Sequence, residues 1–169
     1  MINYSEKTVS LLKEAGLTLA TAESCTGGLI AKMITDVSGS SSVFECGIVS
    51  YSNRIKSAIL GVKEETLERH GAVSEETVTE MALGAIKASG ADCSVAVSGI
   101  AGPMSDNTDK PVGLIWLAVC VNGKITTKKL NNSFDVNVRE NNRNSAANEA
   151  LRLLCDTISN QVVNENGRE

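Results

Sequence analysis

The sequence contains little histidine, few aromatic residues and little proline. Among 169 residues there are one His, one Trp, two Tyr, two Phe and two Pro. Zinc and iron sites normally draw several ligands from His, Cys and carboxylates that lie close together, so one His excludes His-rich metal sites and multi-histidine mechanisms. Any catalysis by this chain must use Ser, Thr, Tyr, Lys, Arg, Cys or carboxylates, and we expect no metal.

The chain also lacks an excess of positive charge and any long apolar run. Lys and Arg total 16 against 20 Asp and Glu, and the basic residues are scattered. This balance argues against binding to nucleic acids or anionic membranes and favours small molecules or proteins as partners. No apolar run approaches the ~18 residues that span a bilayer, and the N-terminus (MINYSEKTVS) has no signal-peptide pattern. We therefore expect a cytoplasmic protein.

The cysteines do not suggest a disulfide framework. They are odd in number, form no CxxC pair and mostly sit among Val, Ala and Leu, which is typical of small buried hydrophobes. The five positions are 25, 46, 93, 120 and 155.

Strand-like and helix-like segments alternate along the chain. This alternation predicts one layered α/β domain over residues 1–160, and a polar tail at 161–169 that frays. Continuous apolar runs are typical of the buried strands of a parallel sheet. The Asn122-Gly123 pair predicts a hairpin, which adds an antiparallel pair of strands, so we expect a mixed but mostly parallel sheet. The predicted strands are 17–23, 43–50, 92–99, 112–121 and 124–130, and the predicted helices are 5–15, those beginning near 26, 53, 64 and 75, and 138–160.

The first candidate site segment, residues 22–28 (AESCTGG), lies where a strand gives way to a helix. The backbone N–H groups of Thr26, Gly27 and Gly28 would lie in the first helical turn without intrahelical partners, so they could hold a phosphate or an oxyanion. The Ser24 hydroxyl or the Cys25 thiol would lie beside them. The alternative is that Ser24 or Thr26 simply caps a helix.

Tyr51 and Lys56 follow the next predicted strand. If Ser52 or Asn53 caps the following helix, Lys56 lies in its first turn, where the positive end of the helix dipole disfavours the ammonium form. A neutral Lys56 could activate a serine without histidine. The alternative is an ordinary solvated lysine.

A third loop, residues 97–103 (VSGIAGP), offers the Ser98 hydroxyl and the approachable backbone of Gly99. All three loops follow strands, and open α/β sheets bind ligands outside the carboxyl ends of their strands. Arg139 and Arg143 share a helix face and could bind a phosphate, although a solvated face is the alternative. Lys110 fits an ordinary loop charge. Cys25 is the second candidate nucleophile after Ser24.

Taken together, five segments resemble the C-terminal domain of the competence/damage-inducible CinA proteins, over about residues 5–155. The resemblance implies a three-layer α/β/α fold, a homodimer and an enzyme that deamidates nicotinamide mononucleotide in pyridine-nucleotide recycling. The segments are 21–28 (TAESCTGG), 38–52 (SGSSSVFECGIVSYS), 71–76 (GAVSEE), 97–103 (VSGIAGP) and 110–116 (KPVGLIW).

The resemblance also implies roles for individual residues. It places the nucleophile on Ser24, with a tyrosine and a lysine at Tyr51 and Lys56, and substrate contacts at Ser98 and Arg139. Together with the residue-level reasoning it predicts a reaction without metal or organic cofactor, in which Lys56, helped by Tyr51, activates Ser24. Two alternative hypotheses remain. One is a catalytically weak nucleotide-binding or regulatory module, prompted by Val138 and by the 104–110 loop, both of which differ from the family pattern. The other is a structural or interaction protein tied to competence or DNA damage, although the acidic charge argues against direct contact with DNA.

Overall fold

Five strands form one mixed sheet with helices on both faces, in a computed structural model that describes residues 3–106 and 108–166. The predicted three-layer α/β/α class is confirmed. The helices are α1 (Tyr4–Ala15), α2 (Leu29–Thr35), α3 (Asn53–Leu60), α4 (Glu64–His70), α5 (Glu75–Ser89) and α6 (Val138–Asn166). The strands are β1 (Leu19–Glu23), β2 (Phe44–Val49), β3 (Cys93–Gly99), β4 (Leu114–Val121) and β5 (Lys124–Asn131).

The strand order β2-β1-β3-β4-β5 explains both the parallel and the antiparallel parts of the sheet. β1 pairs in parallel with β2 and β3, whereas β4 pairs antiparallel with β3 and β5. The pairings are therefore evenly divided, although four of the five strands point the same way. The β4–β5 connection is the predicted hairpin, and Asn122 takes the positive φ of 49° that such a turn requires.

The two faces of the sheet carry residues of different size. Val95 and Val97 of β3 pack with Leu12, Ile30 and Leu151 in a core that involves α1, α2 and α6. The opposite face is built from small residues and packs against α5; its alanines are Ala20, Ala22, Ala96 and Ala118. Side chains alternate along a strand, so each face has its own composition and helix packing.

Polar side chains fix several of the helix starts. Ser52 and Ser74 accept hydrogen bonds from the backbone N–H groups of Ile55 and Thr77, which caps α3 and α5. Of the two predicted cap candidates for α3, Ser52 takes the role and Asn53 begins the helix. α2 differs from the prediction, because it begins at Leu29 and residues 26–28 form the turn before it.

The C-terminal helix is longer than predicted. It runs to Asn166, past the expected end at 160, so the backbone of the predicted tail is helical as far as that residue. Residue 107 of the 104–110 loop and residues 167–169 of the tail lie outside the described residues. No helix in the described ranges is both long and apolar enough to cross a lipid bilayer.

Gly84 lets α5 approach α3, and its replacement by alanine should destabilise the protein. A Cβ atom at this position would lie 1.9 Å from the Leu60 carbonyl oxygen. Because this oxygen is a backbone atom, it cannot move aside as the end of a flexible side chain could. We expect Gly84→Ala to lower the free energy of unfolding by about 1–3 kcal/mol despite the higher helix propensity of alanine. Urea denaturation measures the change. Lys87→Ala, on the exposed face of the same helix, is the control, and equal stability of both variants would contradict the close packing.

Candidate active site

The parallel strands bring three of the predicted loops to one edge of the sheet. Glu23, the last residue of β1, pairs with Val49 of β2 on one side and with Val97 of β3 on the other. The residues that follow these strands therefore lie next to one another. β1 is also where the chain order reverses, since β2 and β3 flank it, and this is the usual ligand position in open α/β sheets.

Lys56 and Ser24 form a buried hydrogen-bonded pair at this edge. Lys56 is 1% exposed, and its Nζ donates to Ser24 Oγ over 3.1 Å and to the Ser50 carbonyl oxygen over 2.9 Å. A lysine amine held this close to a hydroxyl is within the range needed for proton transfer. The solvated-lysine alternative is wrong.

Burial lowers the pKa of Lys56 below the ordinary lysine value, and the nearby Cys25 sulfur opposes this shift. Water that would solvate an ammonium group is absent from a buried position, so the neutral amine is favoured. α3 places Lys56 in its first turn, as the sequence predicts, with Ser52 as the N-cap. The site therefore holds a lysine suited to accept a proton.

The turn after Ser24 does not leave its glycine N–H groups available, which corrects the sequence prediction. The Gly27 N–H donates to the Ser24 carbonyl oxygen over 3.0 Å, and the Gly28 N–H donates to Glu23 Oε2 over 3.0 Å. Thr26 is fully buried. The residues of the 26–28 turn do not line the cavity described below.

Tyr51 and Arg139 contact each other at the mouth of the site. Arg139 Nη2 donates to the Tyr51 hydroxyl over 2.8 Å, and Arg139 Nη1 donates to the Gly102 carbonyl oxygen over 3.0 Å. Tyr51 is 60% exposed. The hydroxyl that the sequence predicts as a proton relay is thus bonded to Arg139. These two bonds orient the guanidinium group of Arg139. They do so even though the preceding residue, Val138, differs from the family pattern.

Ser98 and Gly99 are placed by β3. Ser98 is buried, and its hydroxyl donates to the Ala72 carbonyl oxygen over 2.7 Å, which fastens the 71–73 segment to the sheet. A Cβ atom on Gly99 would lie 2.6 Å from the Ile115 side chain and 2.9 Å from its Cα, so only glycine fits beside β4 here. Both residues reach the cavity wall.

A cavity of about 440 Å³ opens in front of the Ser24–Lys56 pair. This volume lies within the range of small-molecule sites. Its wall joins the loops that follow β1, β2 and β3 to the start of α6. The lining residues are Ser24, Cys25, Tyr51, Asn53, Lys56, Gly71, Ala72, Val73, Ser98, Gly99, Ala101, Asp106, Thr108 and Arg139.

Cys25 lines the same cavity but is poorly suited to be the nucleophile. Burial raises the pKa of its thiol to about 12, and the Glu23 carboxylate adds to the rise. A thiol attacks as the thiolate, and this form is scarce at neutral pH with such a pKa. Geometry and ionisation both favour Ser24.

The sequence reasoning missed the role of Glu23, and it gave Arg143 and Lys110 other roles than the structure does: a possible phosphate ligand and an ordinary loop charge. Glu23 accepts hydrogen bonds from the start of α2, and Arg143 donates to the Thr26 carbonyl oxygen over 2.8 Å. Lys110 ties its loop to the 71–73 segment by donating to the carbonyl oxygens of His70 and Val73, both over 2.7 Å. The role of Glu23 could have been suspected from the sequence, because it is the one charged residue of β1 and ends that strand.

No metal-binding cluster of three or more His, Cys, Asp or Glu side chains occurs within residues 3–106 and 108–161. The polar groups of the site include a hydroxyl, an amine and a guanidinium group. The fold and the buried pair define a class of α/β/α proteins with a serine–lysine site at the ends of parallel strands. Within this class, the chain belongs to the CinA C-terminal domain family, which it matches over residues 2–158.

Individual relatives agree with this assignment. The chain is 53% identical over 153 residues to the nicotinamide-nucleotide amidohydrolase PncC of Enterobacter agglomerans, covering 90% of this chain and 86% of the relative. It is 52% identical over 161 residues to a CinA-like protein of Kosmotoga olearia, covering 95% of this chain and 37% of that longer protein. A crystal structure of a CinA superfamily protein from Klebsiella pneumoniae superposes with a TM-score of 0.89 at 31% identity, covering 95% and 99% of the two chains.

The buried amine should make stability depend on pH in the alkaline range. The unfolded chain keeps the Lys56 proton up to about pH 10.5, whereas the folded chain releases it at lower pH because its pKa is lowered. Between these two values the unfolded state binds more protons, so the Lys56 contribution to stability rises with pH. We expect the unfolding free energy of wild type minus that of Lys56→Met to increase from pH 7 toward pH 10.5.

Urea unfolding of both proteins across this range measures the difference. The comparison largely cancels the opposite contribution of cysteines such as Cys93, whose pKa burial raises to about 12. A difference that stays flat or falls with pH would show that Lys56 is not desolvated.

Proposed function

We propose that this chain is an amidohydrolase that converts nicotinamide mononucleotide and water into nicotinic acid mononucleotide and ammonia. The observation that carries the proposal is the 3.1 Å hydrogen bond between buried Lys56 and Ser24 at the wall of the cavity. A relative 53% identical over most of both chains is named nicotinamide-nucleotide amidohydrolase. Together they support an activated serine acting on a carboxamide.

In the first half of the proposed reaction, neutral Lys56 takes the proton of the Ser24 hydroxyl while Ser24 Oγ bonds to the carboxamide carbon. The carbonyl oxygen becomes an oxyanion. Because Gly27 and Gly28 donate elsewhere, we assign its stabilisation to the backbone N–H group of Cys25, which lines the cavity beside Ser24. The Lys56 ammonium then protonates the amide nitrogen, the C–N bond breaks, and ammonia leaves an acyl ester on Ser24.

In the second half, Lys56 is neutral again and takes a proton from water, whose oxygen attacks the ester carbon. The C–O bond to Ser24 breaks, the proton returns to Ser24 Oγ, and the carboxylic acid is released. Each proton passes through one amine, so the cycle needs neither a second base nor a metal. The burial that lowers the pKa of Lys56 favours its return to the neutral form.

The cavity wall carries a positive charge that complements the phosphate of the proposed substrate. Arg139 lines the cavity and presents a guanidinium group whose planar donors suit a phosphate. We place the substrate phosphate on this side and the carboxamide on the Ser24 side. Asp106 and Thr108 also line the cavity, and their oxygens can bind ribose hydroxyls.

Removing either member of the buried pair should abolish the activity. We expect Ser24→Ala and Lys56→Met to lower kcat with nicotinamide mononucleotide at least about a thousandfold, because these residues act as one unit. Ammonia release and chromatography of the deamidated nucleotide measure the rate. Ser41→Ala and Lys87→Met, both at exposed positions, are matched controls that should retain wild-type rates.

Full activity of Ser24→Ala would remove the serine from the mechanism, and activity that then disappears with Cys25→Ala would assign it to the thiol. Saturable binding of nicotinamide mononucleotide without turnover by the wild type would favour the weak nucleotide-binding module instead.

Tyr51→Phe separates two roles for the tyrosine hydroxyl. The hydroxyl accepts a hydrogen bond from Arg139, so its loss should weaken substrate binding and raise KM several-fold, in line with the ~1 kcal/mol of one hydrogen bond. The expected kcat is close to wild type. Steady-state kinetics over a substrate series measure both constants, and a loss confined to kcat would instead support proton relay by Tyr51.

Homodimer assembly and a cytoplasmic role in pyridine-nucleotide recycling are also part of this proposal. They rest on the family resemblance and on the substrate assigned here.

A further inference from the structure

Glu23 is a buried carboxylate located directly before the nucleophile. It is 1% exposed and ends β1. Its two oxygens accept backbone N–H groups from Gly28 over 3.0 Å, Ile30 over 3.0 Å and Ala31 over 2.8 Å. The Thr21 hydroxyl adds a fourth, longer bond of 3.3 Å. The carboxylate therefore holds both the end of the Ser24 turn and the first turn of α2.

These bonds require an acceptor at both side-chain oxygens. Oε2 accepts from Gly28 and Ile30, whereas Oε1 accepts from Ala31 and Thr21. A carboxylate satisfies all four donors, and its charge strengthens each bond at a helix start. A glutamine in the same place would turn an NH₂ group toward at least one backbone donor, which leaves that donor unsatisfied in a buried site.

The backbone of Glu23 connects the nucleophile to the base. Its carbonyl oxygen accepts the Ser50 N–H over 2.8 Å, and the Ser50 carbonyl oxygen accepts Lys56 Nζ over 2.9 Å. Lys56 Nζ in turn donates to Ser24 Oγ. Glu23, Ser50, Lys56 and Ser24 thus form a closed circuit of one covalent link and three hydrogen bonds.

We propose that Glu23 is a positioning residue that sets the register between Ser24 and Lys56. It lines no part of the cavity and acts through the turn that it fastens. Weakening that attachment lets the Ser24 turn shift relative to Lys56, and a displacement of about 1 Å at a reacting group is enough for a roughly hundredfold loss of rate. This inference rests on the proposed function for its kinetic readout, but its chemical readout is independent of the substrate.

The experiment compares Glu23→Gln and Glu23→Asp with wild type and with Glu80→Gln. Glu80 is a matched control, because its carboxylate also accepts hydrogen bonds at a helix start, from the Lys63 N–H and the Thr66 hydroxyl, both over 2.8 Å, and it lies outside the cavity wall. Four quantities are measured. They are the rate at which a fluorophosphonate labels Ser24, with the labelled residue located by peptide mass spectrometry, kcat and KM for nicotinamide mononucleotide, and the rate of amide hydrogen exchange.

With Glu23→Gln we expect Ser24 labelling and kcat to fall in parallel by roughly tenfold to a hundredfold, with KM changed by less than about twofold. Amide exchange at Gly28, Ile30 and Ala31 should accelerate. Glu23→Asp keeps the charge on a shorter side chain and should recover part of the rate, and it serves as the test if the glutamine variant does not fold. Glu80→Gln should label and turn over like wild type.

Wild-type labelling and kcat in a folded Glu23 variant whose amide exchange has accelerated would overturn the proposal, because the cap would then be structural only. An equal loss in Glu80→Gln would also overturn it. Slow labelling of Glu23→Gln together with a wild type that labels but does not deamidate the nucleotide would reject the proposed function and leave the positioning role in place. A wild-type Ser24 that neither labels nor turns over would reject both.

Discussion

The hydrogen bonds of one buried amine determine how the loops of this protein meet. Lys56 donates to Ser24 Oγ and to the Ser50 carbonyl oxygen from a position that is 1% exposed. Burying an ammonium ion costs solvation free energy, and the pKa of Lys56 is therefore lowered. The same desolvation that opposes the ammonium form leaves a neutral amine that is able to accept a proton. Burial is therefore the cause both of the solvation cost and of the basic character of Lys56.

The turn that follows Ser24 is held from two sides by groups of opposite charge. The Glu23 carboxylate binds the N–H groups that follow the turn, and the Arg143 guanidinium binds the Thr26 carbonyl oxygen within it. Gly27 and Gly28 adopt φ angles of 60° and 94°, which other residues rarely take, so the chain can reverse direction between these two attachments. Hydrogen-bond partners and backbone conformation together define the shape of this turn, although α2 itself is short.

Several parts of this site could be predicted from sequence because they depend on local rules. Ser52 as the cap of α3 places Lys56 in the first helical turn, and the parallel strands bring Ser24 and Ser98 to one edge. The availability of the glycine N–H groups could not be predicted, since it depends on where the Glu23 side chain points. Lys110 illustrates the same limit: its two carbonyl acceptors lie 40 and 37 residues away. Contacts across such distances follow from the completed packing and leave no periodic signal.

One face of α6 carries a series of polar contacts to the site. Arg139, Asn142 and Arg143 donate to the carbonyl oxygens of Gly102, Ala101 and Thr26. Ser24 and Lys56 lie in the first third of the chain, whereas α6, in the last third, supplies these three contacts to the surrounding loops. During synthesis on a ribosome, Ser24 and Lys56 leave the exit tunnel before this helix does. These three contacts can form only after α6 has docked, so Ser24 and Lys56 face an incomplete pocket until this helix has been synthesised and has packed.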